Sequence, residues 1–146
     1  MKILNISIEK SKILEEVALA SAYSGAKTEG SPDFFDRVAT IEEDAGLLSR
    51  FWTRMCGTVT DKLKSFITAS ETTDESLSLT LELSGAYDDS LTPSVKSDLF
   101  SAMAAGVAAG WFQITFPSRA HEWEAQSELL LKRCFSKLCH RKKPKR

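Results

Sequence analysis

The stretch His121-Glu122-Trp123-Glu124 opens like the metalloprotease motif His-Glu-x-x-His. There, two histidines one helical turn apart hold zinc and the glutamate activates a water. The second histidine is missing here, because Ala125 stands in its place. The other histidine, His140, follows Cys139 and lies near Cys134. Thiolate and imidazole are zinc ligands, but Cys134 and Cys139 are five apart, which turns their side chains to different faces of a helix. No fourth ligand accompanies them, so no metal site is expected. Carboxylates cluster at Glu42-Glu43-Asp44 and at Asp88-Asp89. Such oxygens can bind divalent cations, but helix entry accounts for the first cluster and turn chemistry for the second. Cys56 and Cys134 fall on apolar stripes and read as core cysteines. There is no phosphate-binding glycine loop, nucleophile elbow or Ser-x-x-Lys. The sequence therefore leads to a non-enzymatic chain with no catalytic residues and no cofactor.

The chemistry left over is electrostatic. The chain ends in CHRKKPKR, with Arg141, Lys142, Lys143, Lys145 and Arg146 as a basic arm. The whole chain has a formal net charge of −1, yet residues 1–131 carry 11 basic and 20 acidic side chains, a net of −9. An acidic body with a basic end can meet anionic material, or the body of a neighbouring copy. Three readings stand: a solvated tail, phosphate contact with nucleic acid, and docking on an acidic protein surface. No aromatic residue is interleaved after Phe135, so stacking on bases is not expected and a nucleic-acid contact would be backbone-directed.

At 146 residues the chain fits one ordinary domain, and 42% hydrophobic with 27% charged residues is an ordinary globular balance. Three cysteines do not make a disulfide framework. The start shows no secretory pattern, so a reducing, cytoplasmic setting is expected. Residues 99–116 carry no charge, but they are rich in Ala and Gly and include Ser101, Gln113 and Thr115. That composition suits a buried helix better than a membrane span.

Several elements must hold these groups. Residues 2–8 alternate as a strand, with Leu4, Ile6 and Ile8 on one side. A helix follows, with Ile13, Leu14, Val17, Ala18 and Ser21 on one stripe and Gly25 as its stop. Next comes a connection with a short turn at Ser31 and Pro32, fastened by Phe34 and Phe35. Thr40 and Glu43 form a capping box for a long helix over residues 40–69, whose Gly57 marks a close helix contact. In SLSLTLELSG, Leu77, Leu79, Leu81 and Leu83 alternate strictly with polar residues. That strand needs a partner: residues 2–8 of the same chain, or another subunit. Thr92 caps a helix over residues 93–115, whose Gly106 and Gly110 invite a neighbouring helix. Pro117 ends it, and Ser118 caps the last helix, which carries Trp123, Leu130, Cys134 and Leu138 on one stripe. The fold expected is mainly α: a single-domain bundle of about four main helices with a small two-stranded β element, residues 2–8 and 76–84. Residues 1–138 form the domain and residues 139–146 the arm.

EEVALASAYSGAK, ATIEEDAGLLSRFW, YDDSLTPS and the terminal RKKP together carry a resemblance. The chain resembles small, mostly helical structural proteins encoded in the virion cassettes of tailed phages and prophages of gut Bacteroides-type bacteria, including crAss-like phages. The resemblance implies a structural subunit in the virion, assembled in the host cytoplasm, such as a ring or adaptor at the head–tail neck or upper tail. Its implied partners are further copies of itself in a ring and other virion proteins, with no membrane. The arm would dock on an acidic surface of a neighbour. The alternative is a nucleic-acid-associated helical protein whose arm contacts phosphates of the DNA or RNA backbone.

Overall fold

Alternation in KILNISIE produces β1, Lys2–Glu9, which passes directly into helix α1, Lys10–Lys27. The computed structural model describes residues 1–27 and 44–144. The expectations at Ser31, Pro32, Phe34, Phe35, Thr40 and Glu43 lie outside the described residues. From there the order is α2 (Ala45–Lys62), β2 (Ile67–Thr72), β3 (Ser76–Leu83), a 3-10 turn (Asp89–Leu91), α3 (Thr92–Thr115) and α4 (Pro117–Leu138). The architecture is mainly helical, with four described helices and one small antiparallel sheet.

The sheet has three strands, in the order β1-β3-β2, where two were expected. The additional strand replaces the end of the long helix, which stops at Lys62 instead of continuing to residue 69. Thr73 closes the β2–β3 turn, its Oγ1 accepting the backbone N–H groups of Glu75 at 3.2 Å and Ser76 at 2.9 Å. The pairing expected between residues 2–8 and the leucine strand is present, with Leu4 opposite Leu81 and Ile6 opposite Leu79. β3 is the central strand, and both of its edges are paired within the chain. Leu77, Leu79, Leu81 and Leu83 therefore do not form an inter-subunit strand. They are core residues, none more than 2% exposed. Burying each such leucine stabilises the fold by about 1.5–3 kcal/mol.

α3 is the axis of the helical layers. α1 packs on β1 and α3, α2 packs on β2 and α3, and α4 packs almost wholly on α3. Because α3 is covered from several sides, Val95, Leu99, Met103, Val107, Ala108 and Phe112 are all buried, and from residue 99 onward the helix carries no charge. Among the described residues, no helix is long and apolar enough to cross a membrane. Gly106 and Gly110 admit α2: a Cβ at Gly106 would run into Met55, and one at Gly110 would lie 2.8 Å from the Phe51 ring. Gly57 behaves differently from expectation, since a Cβ there would meet nothing within 4 Å and its position is exposed.

Helix ends also differ in detail. α1 runs two residues beyond Gly25. Thr92 is the first residue of α3, not its cap, and its Oγ1 lies 3.1 Å from the hydroxyl of buried Tyr87. α4 begins at Pro117, with Phe116 before it and no side-chain cap, so Ser118 sits inside the first turn.

Candidate functional site

The basic arm is carried by the end of α4. Leu130, Leu131, Cys134 and Leu138 bury one face of that helix. Lys137 pins its last turn to the start of α3, with Nζ 2.6 Å from Asp98 Oδ2 and 2.5 Å from Ser94 Oγ. The N–H groups of Cys139 and His140 still donate to carbonyls of the last turn, so these two residues close the helix. Cys139 and His140 are both exposed.

The arm does not leave the body at once. Arg141 forms an antiparallel bridge with Tyr87, and the Lys142 N–H donates to the Ala86 carbonyl at 2.7 Å. The turn that receives it is built from its own sequence. Ser84 Oγ accepts the Ala86 N–H, and the Ser84 carbonyl accepts the Tyr87 N–H. Tyr87 is 2% exposed and anchors the turn in the core. Lys2 reaches over from β1, donating to the Tyr87 carbonyl at 2.8 Å and pairing with Asp89 at 2.7 Å. Asp88 accepts the Ser90 N–H and hydroxyl, which starts the 3-10 turn. Those hydrogen bonds, with the charges of His140 and Lys142 nearby, hold the Asp88 carboxyl below the ordinary carboxylate range.

Arg141, Lys142 and Lys143 are exposed, as are Lys132 and Arg133 earlier on α4. Lys145 and Arg146 lie outside the described residues. The arm thus combines backbone bonds to the body with side chains open to solvent. Charge composition revealed the arm. It gave no sign of the seat, which depends on a backbone carbonyl at Ala86 and on an anchoring tyrosine. Lys2 and Tyr87 carry no motif that would have marked them.

The other candidate chemistry is dispersed. His121 is exposed on the first turns of α4, and the adjacent Glu122 pairs with Arg119 at 3.4 Å. Cys56 and Cys134 are buried and Cys139 is exposed. Burial pushes the Cys56 thiol up to about 11 and the Cys134 thiol up to about 12, so both stay protonated near neutral pH. Among the described residues, no group of three or more His, Cys, Asp or Glu could hold a metal ion. A groove of about 440 Å3 runs between α2 and α4 over the small face of α3, and it is lined by Arg54, Gln113, Glu124 and Glu128 without a histidine or cysteine.

Comparison with protein-family models, curated proteins and solved structures finds no match for this chain.

Proposed function

We propose that this chain is a non-enzymatic assembly subunit of a tailed-phage particle. It forms a ring at the head–tail neck or tail, assembled in the host cytoplasm, and docks on neighbours through its basic C-terminal arm. One observation carries this reading. The arm presents Arg141, Lys142 and Lys143 to solvent from a backbone seat at Ala86 and Tyr87, while residues 1–131 are net −9. A cationic, partly pre-ordered peptide is suited to an acidic protein surface, because less ordering entropy is lost on docking. The resemblance to small virion proteins supplies the particle, and portal, capsid and tail genes beside this one would add weight.

The test is the triple variant Arg141→Glu, Lys142→Glu, Lys143→Glu, which keeps the backbone seat and reverses the charge. Assemblies of the intact chain, alone or with its virion partners, are expected to fall to smaller species by light-scattering mass. Helical circular dichroism is expected to stay unchanged. Assemblies of undiminished mass in this variant would overturn the docking arm.

Lys132 and Arg133 extend the positive surface back along α4, and this favours a second reading as a nucleic-acid-associated protein. Under it, the log of duplex-DNA affinity falls with log salt by about 0.9 per phosphate contacted. Absence of DNA binding at low salt removes this reading.

A further inference from the structure

We propose that the acidic hollow beside the β2–β3 turn receives the basic arm of a second copy of this chain, so that copies join head to tail. This docking rests on the arm-mediated assembly proposed above. The hollow measures about 630 Å3. It is lined by Glu9, the last residue of β1, and by Asp74 and Glu75 in the turn between β2 and β3. The Lys10 N–H donates to the Glu75 carbonyl at 2.8 Å and ties the start of α1 to that turn. Glu9, Asp74 and Glu75 are all exposed, and among the described residues no ion pair holds their carboxylates. Lys10 is the only base among the described lining residues, and its ammonium already donates to Ser49 Oγ at 2.5 Å.

The hollow and the arm lie at opposite ends of the sheet. β3 starts at Ser76, opposite Glu9, and ends at Leu83, just before the seat at Ala86 and Tyr87. A strand of eight residues spans about 24 Å. Arg146 lies four residues past seated Lys142, a backbone reach of about 14 Å at most. A seated arm therefore stays outside the hollow of its own chain, and a second copy must supply the one that enters it. The two surfaces differ, so the contact is heterologous. Repeating it builds a ring where the rotation closes.

Charge complementarity selects the occupant. Arg141, Lys142 and Lys143 are exposed at the basic end, and they would meet the carboxylates of Glu9, Asp74 and Glu75. Half-buried Leu14 gives the stems of lysine and arginine an apolar floor, and the Ser11 hydroxyl adds an acceptor for their N–H groups. The groove between α2 and α4 suits the arm less well. Its carboxylates, Glu124 and Glu128, share the lining with the Arg54 guanidinium, which repels a cationic peptide.

The experiment mixes two full-length variants and reads their mass by light scattering at low salt. Arg141→Glu, Lys142→Glu, Lys143→Glu disables the arm and keeps the hollow. Glu9→Gln, Asp74→Asn, Glu75→Gln disables the hollow and keeps the arm. The hollow residues are exposed, so the helical spectrum is expected to persist. The intact chain is expected to assemble, and each variant alone to have the mass of one chain. Mixed in equal amounts, the two are expected to reach twice that mass and no more, because the remaining arm and the remaining hollow are both disabled. Should the hollow variant not fold, Asp74→Lys in the intact chain gives a second readout, with smaller assemblies expected. A hollow variant, or Asp74→Lys, that assembles like the intact chain overturns the proposal and leaves the arm reading standing. So does a mixture that stays at the mass of one chain, or an intact chain of that mass at every concentration. Undiminished assembly of the arm variant overturns the arm reading and this docking together.

Discussion

Two buried thiols make the chain sensitive to alkali. Cys56 and Cys134 are shifted up from 9.0 to about 11 and about 12, first by burial and, for Cys134, also by the Asp98 carboxylate. Below about pH 9 both thiols are neutral whether the chain is folded or not. Above it, the unfolded thiols lose protons that the folded ones keep, so the unfolded state is favoured increasingly up to about pH 12. The urea midpoint is therefore expected to fall across that window, and Cys134→Ala is expected to lessen the slope. An identical slope in the variant would contradict the assignment. Sequence alone placed these cysteines in the core from their apolar stripes. The exposure of Cys139 follows from its position as the closing residue of α4.

At the scale of elements, packing depends on the small face of α3. Ala at Gly110 gains about 1 kcal/mol of helix propensity but meets the Phe51 ring, and overpacking of this kind costs about 1–3 kcal/mol. Gly110→Ala is therefore expected to destabilise the fold by about 1 kcal/mol, read by urea denaturation. Gly106→Ala is expected to cost less, because the thioether of Met55 can turn aside where a ring cannot. These glycines were legible as a helix contact because their spacing repeats with Ala102, Ala105 and Ala109. Gly57 was misread because a lone glycine carries no such pattern. β2 stayed hidden for a related reason. Five of its six residues are exposed, which leaves no alternation to read, while Leu63 and Phe66 keep the helical spacing after α2 has ended. β3 was plain because its buried and exposed residues alternate along the central strand.

For the whole molecule, the mainly helical class, the pairing of the first strand with the leucine strand and the uneven charge could all be read from the sequence. The sheet order, and the arm's seat on the turn after β3, depend on distant backbone groups that no local pattern records. The same long-range pairing governs how the chain folds. α3 and α4 are joined by Phe116 alone, so their contact closes a short loop. β1 must find β3 across most of the first half of the chain, and contacts so far apart in sequence form slowly. In pulse-labelled exchange during refolding, amides of α3 and α4 are expected to be protected before those of Leu4 and Ile6. The reverse order would contradict this. During synthesis the delay is longer still: β1 emerges before β3 has been made, and Leu4, Ile6 and Ile8 wait for a strand to pair with. β1 is thus made well before it can be sealed, and for that interval its apolar face is open to a chaperone.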